Sequence, residues 1–356
     1  MVLALLLLLL YNFKTIYFSK IYLFFYFFST IYILRILFDY NNEVPYYTSY
    51  PSVLGYFLSF AFIPFMSISS IKINETLLAS IFKAFLVGGF SFSILCLVYY
   101  GKFIGTVSRL SSNTADEETL SPLALSYCSS MIIGVFSFYL LHNKTKLYQK
   151  YSMILCILAS FVPFFLGASR GSLVTLIGSF GFYILVGRGA KFFFKSIFLL
   201  LVMTTGIVML DGYLESGLLN RFLTTSEQID SGASGAVRIV IWENAFNQFL
   251  ENPFLGDSLR VVHWRGYAHN FIIEVLQTTG LIGFIPIAIL LVYVFKACYF
   301  IGIKDKKYFW IIVVFIQSFV QQLFSGAIYT ASWMWTSMAL VLIVYQYLKS
   351  KEYEVN

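Results

Sequence analysis

Apolar stretches of roughly 17–25 residues recur along nearly the whole chain, from Val2 to Tyr347. A helix needs that length to cross the hydrocarbon core of a bilayer. Only helices and closed barrels can satisfy their backbone there. These runs do not alternate polar and apolar residues as barrel strands do. With 59% apolar and only 12% charged residues, the composition excludes an ordinary soluble domain. The expected fold is all-α, a polytopic transmembrane helical protein. Eleven spans are expected, near residues 1–13, 21–38, 53–70, 77–100, 122–141, 151–168, 171–187, 194–211, 271–301, 309–325 and 328–348. The first resembles a signal-peptide core, but it lacks a basic leader and a small-residue cleavage site, so it reads as a short or truncated span.

The connections between spans alternate in character. One set carries Lys14 and Lys20, Lys72, Lys144 to Lys150, Arg188 to Lys195, Lys304 to Lys307, and Lys349 with Lys351. The other set is Asp39–Tyr50, Lys102–Ser121, Gly167–Gly171, Gly212–Ala268 and Ser325–Ala327. The positive-inside rule puts the first set in the cytoplasm and the second outside. Four stretches follow: spans through residue 150, spans 151–211 with a short outward arginine turn, a large outward loop 212–268, and spans 269–356. The net charge of +7 gathers in short lysine loops, which is no signal for nucleic acid. Cys96, Cys128, Cys156 and Cys298 lie in or beside apolar runs without metal-site spacing, so they read as small apolar residues.

Lysine and arginine divide differently. Of sixteen lysines only Lys102 falls in an outward loop, and of eight arginines only Arg188 falls in an inward one. Arg109, Arg170, Arg221, Arg238, Arg260 and Arg265 are outward, and Arg35 is near the outer end of its span. The positive-inside rule does not explain why outward cations should be arginine. Guanidinium binds phosphate bidentately and keeps its charge in a partly dry site, so the set points to an anionic ligand outside. For any one of them the plain alternative is pairing with Glu215, Glu227, Asp230, Glu243, Glu251 or Asp257.

Inside the large loop, Ser226–Gly235 reads as a mobile linker. Ala236–Glu251 then reads as an amphipathic helix, stopped by Asn252-Pro253. Arg238 and Trp242 are four apart on one face, where the indole can brace the guanidinium. The chain has three histidines; His263 is in this loop and His269 follows it directly. His269 precedes a helix, whose positive end disfavours imidazolium and suits a proton acceptor. Asn270 can cap that helix or hold a ligand hydroxyl. Gly280 and Gly283 share a helix face that another span could approach. Arg170, in the short turn Ala168-Ser169-Arg170-Gly171-Ser172, reads as an interfacial anchor or as a phosphate clamp whose glycines expose backbone N–H donors.

The pattern His269-Asn270, nine residues, Gly280-Leu-Ile-Gly283 resembles the signature of the bacterial O-antigen polymerase and O-antigen ligase family. Ser169-Arg170-Gly171 in an outward turn fits it, as do Arg238, Trp242 and the run Glu251-Asn252-Pro253-Phe254-Leu255-Gly256. The similarity covers roughly residues 165–300. At Gly256-Asp257-Ser258 the sequence departs from a family pattern that commonly has a second glycine. The resemblance implies a glycosyl transfer at the outer face of the inner membrane that needs no metal or cofactor. The donor would be a glycan on undecaprenyl pyrophosphate, and a chain-length regulator is an implied partner besides the bilayer. A sugar hydroxyl attacks the anomeric carbon, and lipid pyrophosphate leaves. Arg170, Arg238 and Asn270 would hold the donor, and His269 would orient or deprotonate the hydroxyl. Trp242, Gly280 and Gly283 would support them. The expected activity is polymerase. The alternatives are a ligase acting on lipid A-core and, from another class, a flippase, which would need internal repeats and midplane charges.

Overall fold

The computed structural model describes residues 20–104, 110, 121–187, 190–214 and 234–355. Every regular element among them is helical. They are α1 (Tyr22–Asn41), α2 (Tyr50–Phe57), a π turn (Leu58–Phe62), α3 (Ile63–Ser69), α4 (Glu75–Tyr100) and α5 (Pro122–His142). Then come α6 (Leu147–Gly167), α7 (Arg170–Val186), α8 (Ala190–Leu214), α9 (Ser234–Glu251), α10 (Phe271–Lys304), α11 (Phe309–Gln322) and α12 (Ser332–Val355). The chain is an all-α polytopic membrane protein. Among the described residues, six helical segments are long and apolar enough to cross a bilayer: Tyr22–Asn41, Tyr50–Ser69, Glu75–Phe103, Pro122–His142, Leu147–Gly167 and Phe271–Lys304. The span expected at 1–13 and most of the Ser226–Gly235 linker lie outside the described residues, as do Arg109, Arg188 and Arg221.

Helix starts follow local sequence. Asn74 accepts from the Leu77 N–H, and Ser121 accepts from the Ala124 N–H with Pro122 in the first helical position. The helix expected from Ala236 begins at Ser234 and ends at Glu251, before Asn252-Pro253.

The chain divides into two compact units. The first takes its residues from Met1–Lys72, Ser226–Phe300 and Gln322–Asn356. Its core is aromatic. Phe25 stacks on Phe65 at 3.8 Å and meets Trp335 at 5.2 Å, and Phe271 meets the same indole at 5.6 Å. Trp335 is fully buried, and its Nε1–H is satisfied by the Ile328 carbonyl at 3.0 Å.

The second unit, Ile73–Thr225 with Ile301–Gln321, is packed through small residues. A side chain on Gly167 would meet the Pro122 carbonyl at 2.4 Å, and one on Gly171 would meet the Tyr127 hydroxyl. Buried Ser126 donates to the Phe164 carbonyl and accepts from the Ser172 hydroxyl and the Ser169 N–H. Serine ladders of this kind hold helices together where water is absent.

Candidate active site

The first unit's polar centre is built where the 252–270 loop folds back on α10. Gly280 has φ +58° and ψ −160°, which interrupts α10 and frees the N–H groups that follow. Leu281 N–H then donates to the Pro253 carbonyl at 2.8 Å and Ile282 N–H to the Phe254 carbonyl at 3.1 Å. Asp257 N–H donates to the Gln277 carbonyl at 2.7 Å. Backbone meets backbone here: a methyl group on Gly256 would stand 2.6 Å from the Thr279 nitrogen. The expected approach of another span at Gly280 is therefore corrected, because the loop segment 253–256 occupies that notch. At Gly283 the neighbour is the Thr279 side chain on the same helix, 2.1 Å from where a Cβ would stand.

Three side chains that sequence reasoning passed over, together with Arg35, fix this loop. Arg35 donates to the carbonyls of Thr278 (3.0 Å), Asp257 (2.5 Å), Leu255 (2.8 Å) and Gly256 (3.1 Å). Its remaining charge meets Asp39 at 3.5 Å. Arg35 thus departs from the expectation for outward arginines: its fork is spent on the chain's own carbonyls. Asp39 also accepts from the Leu259 N–H at 2.7 Å. Gln248 accepts from the Val262 N–H at 2.8 Å and donates to the Arg260 carbonyl at 3.0 Å and to the Asp257 carboxylate. Gln277 donates to the Ser258 and Arg260 carbonyls at 3.0 and 2.9 Å. Each charge-assisted bond contributes about 1.5–3 kcal/mol and each neutral one about 1 kcal/mol.

His269 ends this loop with φ +57°, a conformation few non-glycine residues adopt. Its half-buried ring packs 4.2 Å from that of Tyr267, and its Nδ1 has no hydrogen-bond partner among the described residues. Burial, and then the Arg238 guanidinium nearby, depress the imidazole pKa from 6.5 to about 4. The ring is neutral at pH 7, as the sequence led one to expect, although the causes are dehydration and an arginine. Such a ring can orient a hydroxyl and pass a proton on, but it holds one poorly. Asn270 is a helix cap. Its Oδ1 accepts from Ile272 and Ile273 N–H at 3.0 and 3.2 Å, and its Nδ2 donates to the Leu323 carbonyl at 3.1 Å.

Arg238 is fixed by donating to the Phe324 carbonyl at 2.9 Å. Trp242 packs against the small core of Ile241, Ala245, Val261 and Ala268. It supports α9 against the loop, and the guanidinium is held by a carbonyl, which replaces the expected indole brace. Behind the histidine sits Glu274, 2% exposed, which accepts from the Ile328 N–H at 3.2 Å and keeps its other oxygen buried. Next to Ile328, Tyr329 shares a hydrogen bond between hydroxyls with Tyr47. Burial first, and neighbours including Glu274, hold the Tyr46, Tyr267 and Tyr329 hydroxyls well above their usual pKa. Sequence reasoning passed over Glu274; the signal was a carboxylate one turn into an apolar run.

Arg170 belongs to the second unit. It is the first residue of α7, after a turn of only Ala168 (φ +39°) and Ser169. Its charge adds to the positive end of the helix, so an anion is doubly favoured there. The flanking glycines do not lie open to a headgroup as expected, because Gly167 and Gly171 are filled by the approach of α5. Of the residues singled out from the sequence, the first unit gathers Arg238, Trp242, His269, Asn270, Gly280 and Gly283. Among the described residues no group of three or more His, Cys, Asp or Glu side chains converges as metal ligands do.

Residues 154–288 match the family described as O-Antigen ligase. That stretch is similar to the O-antigen ligase family. It contains Arg170, Arg238, His269 and the Gly256–Gly280 crossing, so the motifs that carry the resemblance lie within the match. No curated protein matches the chain. Family members are glycosyltransferase-like enzymes, and a multi-pass membrane protein is what the helices describe.

Proposed function

We propose that this chain is an O-antigen polymerase. It would transfer a glycan from undecaprenyl pyrophosphate to a sugar hydroxyl of a lipid-linked acceptor, at the periplasmic face of the inner membrane. What supports this best is the placement of His269, packed 4.2 Å from Tyr267 with the Arg238 guanidinium nearby, inside the stretch that matches the family. Transfer forms a bond from the acceptor oxygen to the anomeric carbon, breaks the bond from that carbon to pyrophosphate, and releases the hydroxyl proton. Pyrophosphate is a good leaving group, so the main demand on the protein is to absorb its charge. Arg238 would do this beside His269, and Arg170 is a second phosphate contact carried over from the family resemblance. His269 orients the hydroxyl and relays its proton. The lysine and arginine asymmetry supports placing the 212–268 loop in the periplasm.

The ligase reading has one observation in its favour, the description of the matched family. Lipopolysaccharide from a deletion strain, run on a gel, separates the readings. Single repeats attached to core support the polymerase. Bare core with accumulating lipid-linked polymer means a ligase instead, and unflipped single units mean a flippase. An impermeant thiol reagent should label Ser231→Cys in cells with an intact inner membrane; protection there would overturn the orientation.

A further inference from the structure

Beside His269 lies a block of aromatic rings that the transfer chemistry does not use. Three separate chain segments supply it: the loop before α2, the 263–269 turn, and the short turn before α12. The first two are tied by the Tyr47 N–H donating to the Arg265 carbonyl at 3.0 Å. Tyr47 lies 5.9 Å from Tyr267 and 4.8 Å from Tyr46. Tyr267 lies 4.2 Å from His269, and Trp264 lies 6.5 Å from it on another side. Underneath, Tyr329 meets Tyr267 edge-on at 6.2 Å and bonds the Tyr47 hydroxyl. The rings are thereby locked before anything binds, which removes an ordering cost from binding.

Two of the outermost rings are large and accessible: Tyr47 is 57% exposed and Trp264 45%. His263, Arg265 and His269 all have positive φ, at 64°, 61° and 57°. A turn that needs this backbone is made more cheaply with glycine, so the side chains here are kept at a conformational cost. An interfacial belt also collects tyrosine and tryptophan, but belt rings act as separate anchors. Here Tyr46, Tyr47, Tyr267 and Tyr329 pack tilted or edge-on against one another, and Tyr267 and Trp264 both reach the imidazole.

A pyranose ring has the complementary chemistry. Its C–H face is the partner for the electron-rich face of an aromatic ring, and its rim of hydroxyls suits exposed polar groups such as His263 and Arg265. We propose that Tyr47, Trp264 and Tyr267 form a sugar-stacking floor that seats the acceptor's reacting sugar and delivers its hydroxyl to His269. The proposal rests on the transferase role given to His269 above.

Saturation-transfer NMR on the detergent-solubilised full chain tests it, with the methyl glycosides of glucose, galactose and N-acetylglucosamine as probes. Transfer should appear on the ring C–H protons of at least one probe. The double variant Tyr47→Leu with Trp264→Leu, which keeps apolar bulk, should bind at least about fivefold more weakly. Trp333→Ala, which removes a different aromatic side chain, 53% exposed, should bind as the wild type does. A thermal melt confirms that each variant is folded, and Tyr47→Leu alone serves if the double variant is not. An unchanged signal in the folded leucine variant, an equal loss in Trp333→Ala, or no signal from the wild type overturns the proposal. His269→Ala should lose turnover and keep the sugar signal. If it keeps turnover, the transferase reading fails while the sugar site stands.

Discussion

The backbone of Gly256 lies in the break that Gly280 makes in α10, so that a methyl group on Gly280 would stand 2.6 Å from the Gly256 nitrogen and 2.4 Å from the Phe254 oxygen. Two glycines with positive φ thus hold the large loop against the helix that begins at Phe271. The clashing atoms are backbone on both sides, so neither can swing away. Arg35 closes the same crossing from α1 by binding carbonyls of both strands of chain.

Gly280→Ala should therefore lower the amount of folded protein in the membrane sharply. The left-handed backbone alone costs a non-glycine residue about 1–3 kcal/mol, before the clash. Gly88→Ala, in open space within α4, should be nearly silent. Abundance in membranes and the thermal midpoint in detergent check both. Equal midpoints would mean that the crossing is not what holds the loop.

The His269 ring titrates near 4 because burial and Arg238 both oppose its charged form. If the neutral ring is the working form, turnover should be flat from neutral pH down to about 5 and fall only as the ring protonates near 4. An acidic limb centred on the ordinary value of 6.5 would refute this. The stability linkage has the same sign. The unfolded histidine takes up a proton below 6.5 that the folded one excludes until about 4, so its contribution is full above 6.5 and is lost as pH falls toward 4. In turnover assays His269→Ala should cost on the order of 10²–10⁴ in rate. Retention in His269→Gln would assign the ring to orienting the hydroxyl and not to taking its proton.

Glu274 holds the turn that carries Tyr329 through one oxygen. Glu274→Gln keeps that acceptor and should retain most activity. Glu274→Ala leaves the buried Ile328 N–H without it, at a cost of about 1–3 kcal/mol, and should lower both stability and turnover. A dead but well-folded Gln variant would show that the carboxyl itself takes part.

Arg170→Lys keeps the charge and loses the planar fork. Turnover should drop by tenfold or more, on the order of the 1.5–3 kcal/mol of a charge-assisted bond. Arg188→Lys, expected on the cytoplasmic side, should be near wild type. Equal tolerance at the two positions would reduce Arg170 to an interfacial anchor.

Hydropathy by itself determined that the chain is a bundle of membrane helices, because the bilayer leaves the backbone few alternatives. Local pattern also gave the α9 helix, its stop at Asn252-Pro253 and the cap at Asn270. Each depends on residues within a turn or two of one another. What Arg35 does was out of reach, since its carbonyl partners lie more than 200 residues away. The same holds for Gly280, which looks in sequence like a small residue on a helix face and in the fold breaks the helix to admit the loop. Glu274 resembles any first-turn carboxylate until Ile328 and the tyrosines close around it. Those roles are set by which segments meet, and only tertiary packing decides that, because backbone groups freed in one segment must be satisfied by another.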